Sequence, residues 1–276
     1  MLEETRSGRL AAWGNALLAG DVSPDEAALR ITGDDVRHRV AGLPEAAADG
    51  DGVAGLTFAL GRLRLLGATG LRVALPVPGH PLGLSGPPEF NARALEAGEA
   101  VVASGAALGL VPCVRTAGPE DSAASDDSHV EVVWRCVPAR EGPPADVPPL
   151  AEAERELAEA LREATEVLTR LDVAGSGPVA DAALEVYRAR AEDERALLAP
   201  GCPPRAVRVL EMAQRVAALV GIASEDRGAG GAHGGAVSAS QIAARTEALR
   251  PVERTARRAQ VAAYNAYADE LERGRG

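Results

Sequence analysis

Several stretches of the chain hold side chains whose types and spacing could do chemistry. LRVALPVPGHPLGLSGPPEFN, from Leu71 to Asn91, sets Arg72, His80, Ser85 and Asn91 in or beside a Gly/Pro-rich bend. A strand that enters such a bend and restarts as a helix is where α/β sheets often bind ligands. His80 could act as a base and Ser85 as a nucleophile. However, GLSGP lacks the last glycine of a G-x-S-x-G elbow, and no HGGG-type oxyanion motif precedes it. Ser85 reads better as the cap of a helix that Pro87 starts. GDGVAG, from Gly50 to Gly55, fits G-x-G-x-x-G. A dinucleotide site needs a strand ending at the first glycine and an acid about twenty residues on. Pro44–Asp49 separates these glycines from any strand, and the next strand ends in Pro76-Val77-Pro78. It reads as a loop before a helix. Asp126, Asp127, His129 and Glu131 are metal-ligand types, with His129 and Glu131 on one strand face. Such charge runs are usually a solvated acidic loop running into a strand edge, and that reading is preferred, so no metal is assigned.

The last helical pattern bears on partners. Leu249, Val252, Ala256, Ala259, Ala263 and Ala266 form an alanine-rich seam at heptad spacing, where small side chains let helices approach closely. Arg250, Arg254, Arg257 and Arg258 fall in a narrow arc on another side, near Glu247 and Glu253. They could bridge to acids of neighbouring helices or form a stripe for a phosphate ligand or an acidic protein surface. His38 reads as a surface strand residue, and His233 sits exposed among glycines.

Composition removes whole classes of function. The chain has 276 residues, 46% of them apolar, enough for a full core in one or two domains. All 29 basic residues are arginine, so lysine Schiff bases and P-loop chemistry are out of reach. A net charge of −11 and a pI near 5.0 argue against general nucleic-acid or anionic-membrane binding. No apolar run is long enough to span a bilayer, and the acidic start MLEETRSGRLAAW is unlike a signal peptide. Cys113, Cys136 and Cys202 form no CxxC, which suits a reducing cytoplasm.

These side chains must be positioned by an alternating first half. Leu10–Leu18 looks helical, and VSPDEAALRI opens a second helix with Ser23 and Glu26 as a capping box. Val36, His38 and Val40 alternate as a short strand. Leu56, Leu60, Leu63 and Leu66 mark a helical stripe, and Leu71–Val77 a strand. A helix is expected from Pro87 to Ser104, then strands in LGLVPCVRT and HVEVVWRCV. Proline-dense Arg140–Leu150 marks a boundary between 1–145 and 146–276. Beyond it, Leu150–Leu171 is amphipathic, a second helix opens at Pro178, and RAVRVLEMAQRVAALVGIA reads as apolar nearly all round. A flexible Gly-rich link over 225–237 follows. Ser238 and Gln241 then cap a helix that Pro251 should kink.

LRVALPVPGHPLGLSGPPEFNARALEAGEAVV and LRPVERTARRAQVAAYNAYADELERG resemble stretches of uncharacterised hypothetical proteins of high-GC bacteria, a family that implies no activity. The fold expected is α/β, a mixed sheet with covering helices, followed by an all-α bundle of about four helices. No catalytic residue and no cofactor is assigned. The leading function is a cytoplasmic, non-catalytic protein that associates with a protein partner or with itself through its helical half. The alternative is a small-molecule site or enzyme on the 78–91 loop.

Overall fold

The computed structural model describes residues 5–44, 52–84, 86–117, 129–140, 146–170, 199–229 and 239–274. Among them, six strands form a mixed sheet: β1 (Arg37–Ala41), β2 (Val53–Gly55), β3 (Gly70–Ala74), β4 (Ala100–Ser104), β5 (Leu108–Ala117) and β6 (His129–Pro138). Their spatial order is β2-β1-β6-β5-β4-β3. β1 and β6 run parallel, with Val40 opposite Trp134, and the other neighbours are antiparallel. Register decides the faces. His38, Val132, Trp134, Leu110, Val101 and Val73 point one way; Arg72, Val102, Gly109 and Val111 point the other.

The first face carries α1 (Arg6–Ala19), α2 (Pro24–Thr32) and α3 (Leu56–Leu65). Gly14 lets α1 press against Leu71, because a Cβ there would collide with the leucine. From Ser7 to Leu18 every α1 residue except Arg9 is buried. At the start of α2, Ser23 accepts the Glu26 N–H at 3.2 Å, as its capping pattern predicts. The second face carries α4 (Pro88–Ala97), whose Phe90 lies over Gly109 in a cluster with Ala74, Ala100, Val102 and Val111.

Some elements depart from the sequence reading. The helix expected to reach Ser104 stops at Ala97: Gly98 takes a positive φ of 74°, and Ala100–Ser104 becomes the fully buried β4. Val101 and Val102 favour that outcome, since β-branched side chains suit a packed sheet. Val53–Gly55, read as loop, is the short strand β2. His38 is a correction too. It is 4% exposed, because β1 lies inside the sheet and turns this side chain under the helices.

The helices of the second half are α5 (Leu150–Arg170), α6 (Pro204–Ala229) and α7 (Ala239–Arg273), which continues through Pro251. α6 is not apolar all round: Arg205, Arg208, Glu211 and Arg215 keep one side exposed. It also runs on to Ala229, past the start expected for the link; 230–238, with His233 and Ser238, lies outside the described residues. So does the helix expected at Pro178. The chain divides into two compact units. One comprises Met1–Glu3, Pro148–Leu197 and Pro204–Ala263; the other comprises Glu4–Val147, Leu198–Pro203 and Tyr264–Gly276. The last turns of α7 therefore belong to the unit that contains the sheet.

Candidate functional site

After β3 the chain folds back on itself. Leu75 N–H donates to Leu82 O at 3.0 Å, Val77 N–H to His80 O at 3.0 Å, and His80 N–H to Val77 O at 2.9 Å. The strand expected through Val77 thus ends at Ala74, and His80 closes a tight hairpin. Leu82, fully buried, holds a positive φ of 33°, an unusual conformation for a bulky residue. Gly83 N–H donates to Asp146 Oδ1 at 3.1 Å, while Asp146 Oδ2 is buried without a hydrogen-bond partner among the described residues. Asn91 Oδ1 accepts the Gly86 N–H at 3.0 Å, and Gly86 O accepts the Arg140 N–H at 2.9 Å. Pro87 is the N-cap of α4, with no side chain capping it. Ser85 lies outside the described residues. The loop also leaves an edge strand antiparallel to its neighbour, whereas the crevice rule applies to the carboxyl ends of parallel strands.

Arg72 is only 5% exposed, and its guanidinium is occupied by the end of α7: Nη1 lies 2.7 Å from Asp269 and Nη2 2.7 Å from Glu272. Burial alone would lower its pKa, but the two carboxylates outweigh that and hold it charged. Around it, the free edge of β3 is paired by asparagines. Asn15 of α1 accepts the Leu71 N–H at 2.7 Å and donates to Leu71 O at 2.9 Å. Asn265 of α7 accepts the Val73 N–H at 2.6 Å and donates to Val73 O at 3.2 Å. A carboxamide is chemically a peptide group, so the two stand in for a seventh strand and leave no raw edge there. Tyr267, two residues on, donates its hydroxyl hydrogen to Asp21, and Pro200 O lies 3.3 Å from the same oxygen. Burial, then the Asp21 carboxylate, pushes its phenol up.

The densest polar cluster is one that sequence reasoning missed. Asp35 Oδ2 lies 2.9 Å from His38 Nε2, and Arg6 forks onto the same carboxylate at 2.8 and 3.0 Å. Arg9 Nη2 approaches to 3.5 Å. On its other side, His38 Nδ1 lies 3.3 Å from Trp134 Nε1. An indole nitrogen can only donate, so Nδ1 must carry a lone pair and Nε2 the hydrogen. Burial, Arg9 and Arg6 push the histidine down against the pull of Asp35. Burial would raise Asp35, but Arg6 and His38 overcome it and hold the carboxyl low. Beside them Glu99 accepts the Ser7 N–H at 2.8 Å and the Ser7 hydroxyl at 2.7 Å, and burial pushes its carboxyl up. Both nitrogens of His38 are therefore engaged, and neither is offered to a substrate. The i, i+3 spacing of Asp35 and His38 was the visible signal; the partner 96 residues away was not.

The other expected residues are dispersed. Glu131 pairs with Arg37 and approaches Arg39 at 3.9 Å; these contacts hold its carboxyl low. His129 is exposed, while Asp126 and Asp127 lie outside the described residues. Among the described residues no group of three or more His, Cys, Asp and Glu could hold a metal ion. Burial pushes the Cys136 thiol up to about 11 and, with help from Glu270, the Cys202 thiol up to about 12. On α7, Arg258 lies 3.0 Å from Glu156 of α5, and exposed Arg250 approaches Glu247 at 3.8 Å. Arg254 and Arg257 form no ion pair with any described residue. The seam is buried at Val252, Ala256, Ala259, Ala263 and Ala266.

No described helix is long and apolar enough to cross a membrane. A family model described as Rv1486c-like protein, N-terminal domain, matches residues 7–149, and one for the C-terminal domain matches residues 151–261. Uncharacterised protein Rv1486c of Mycobacterium tuberculosis is 32% identical, covering 93% of this chain and 95% of its own length. Uncharacterised protein ML1804 of Mycobacterium leprae is 29% identical with the same coverage. No solved structure matches. With both domain models in order along one chain, this protein belongs to the Rv1486c-like family.

Proposed function

We propose that the protein acts in the cytoplasm by association with a protein partner through its helical half, and not by turning over a substrate. One observation carries the reading. Arg254 and Arg257 form no ion pair with any described residue, although Arg258 beside them is bridged to Glu156. In a chain of net charge −11, two neighbouring arginines without a counter-ion among the described residues favour an acidic protein surface. The buried chemistry agrees: both ring nitrogens of His38 and both terminal nitrogens of Arg72 are taken up by internal bonds. The test is reciprocal co-purification with wild type and Arg250→Glu/Arg254→Glu, followed by remixing of the purified components. A partner retained by wild type, lost from the variant and recovered on remixing supports the reading. If no partner is found and sedimentation shows a monomer at every concentration, the reading falls.

The loop at 78–91 remains the second reading, with Arg72, His80, Ser85 and Asn91 as its candidates. Asp146 favours it, since its buried Oδ2, beside Gly83, has no hydrogen-bond partner among the described residues. A ligand that brings a hydrogen-bond donor there would raise the melting temperature of wild type but not of Asp146→Ala. Equal shifts in both would place the ligand elsewhere.

A further inference from the structure

Helix α4 covers its face of the sheet at Ala74, Ala100, Val102 and Val111. Where β1, β6 and β5 lie side by side, the same face carries a cross-strand ladder instead. Arg37 stands opposite Glu131, which stands opposite Arg115. The next rung on this face is Arg39, Val133 and Cys113, and the one after is Ala41, Arg135 and Val111. Arg37, Arg115 and Arg135 are exposed, and Arg39 is half-buried. Glu131 is the one carboxylate among the nine residues of these rungs, which also hold Arg37, Arg39, Arg115 and Arg135. Arg37 pairs with it, and Arg39 and Arg115 add to the field that holds it ionised. Arg115 and Arg135 form no ion pair with any described residue. Beneath them Val133 is 6% exposed, a surface that long arginine stems can shield while their heads stay in water.

We propose that this ladder docks a carboxylate-rich, extended segment of a protein partner. Charge complementarity carries it: the nine residues of these three rungs include four arginines and one carboxylate, in a protein whose overall balance is −11. Spacing adds to it. Arg37 and Arg39 lie two residues apart on one strand, about 7 Å, the repeat at which alternate side chains of an extended peptide recur. Guanidinium forks match carboxylates two bonds at a time. A nucleic acid fits less well, because none of the three rungs holds an aromatic side chain for bases to stack on. The chain's net negative charge would also repel a phosphate backbone at long range. This proposal rests on residues of the sheet, and the association reading on arginines of α7.

The probe is a fluorescein-labelled peptide of alternating Glu and Ser, titrated with the full chain by anisotropy. Wild type should bind it, more weakly as salt rises. Arg115→Glu/Arg135→Glu should weaken binding about ten-fold or more, while Arg115→Lys/Arg135→Lys keeps most of it. Arg64→Glu, exposed on α3, should bind as wild type does. Circular dichroism checks each variant, and Arg115→Gln/Arg135→Gln replaces the charge reversal if that variant misfolds. A wild type that ignores the peptide, or a folded reversal variant that binds equally well, overturns the proposal. So does an oligo-dT of equal charge that binds more tightly than the peptide.

Discussion

At His38 the direction of each bond has a consequence for pH. The folded protein holds this imidazole neutral, below its ordinary value of 6.5, whereas the unfolded chain protonates it normally. Below about pH 6.5 the unfolded state therefore binds more protons, and stability must fall with pH until the folded value is reached. Protonation would also place an N–H on Nδ1 against the Trp134 N–H, orphaning a buried donor. A melting temperature that drops between pH 7 and 5.5, with a shallower drop in His38→Gln, is the expected result; parallel curves would refute it. Glu99 has the opposite sign. Its folded carboxyl is raised, so its contribution is complete below about pH 4.5 and is lost as pH rises through the folded value. Asn265 gives a second residue-scale prediction. Asn265→Ala leaves the Val73 N–H and C=O unpaired on an edge strand, at a cost of roughly 1–3 kcal/mol. Asn265→Asp should recover only the accepting half. Urea titrations of the two variants read both values, and an unchanged midpoint for the alanine variant would mean that water serves the edge as well. None of this was legible from spacing, because Asn265 and Val73 are 192 positions apart and an asparagine in an alanine-rich helix announces nothing.

Elements were more readable than their ends. α1, α2, α3, β5 and β6 appear where periodicity and caps put them. What hid β4 was its company. LEAGEAVVASG continues an apolar helical pattern, and only Gly98 with the paired valines marks the switch from period 3.6 to period 2. β2 was hidden for another reason: three residues carry too little alternation to recognise. The seam of α7 was visible as small residues at heptad spacing, and it is buried within the chain. Ala259 is fully buried, so Ala259→Leu should overpack its surroundings and cost about 1–3 kcal/mol. Ala259→Gly should also destabilise, by about 1 kcal/mol, through helix propensity. If thermal melts show the leucine variant unharmed, the seam has slack that the structure denies it.

For the whole molecule, family domains and compact units are cut differently. The N-terminal family model stops at residue 149, yet the unit that contains the sheet also draws on Leu198–Pro203 and Tyr264–Gly276. A fragment spanning 1–150 would keep Arg72 but lack Asp269 and Glu272, and keep Val73 but lack Asn265. It should be less soluble than the full chain and bind thioflavin T through its uncovered edge; a monomeric, cooperatively melting fragment would contradict this. The same feature sets a clock. A ribosome adds about 5–20 residues per second, so Val73 is made on the order of 10–40 s before the asparagine that covers it. For that interval the nascent sheet carries a bare strand that a neighbouring nascent chain could pair with. The crowding of ribosomes on one messenger, rather than the stability of the finished protein, then governs how much of it is lost to aggregation, and slower initiation should raise the soluble yield.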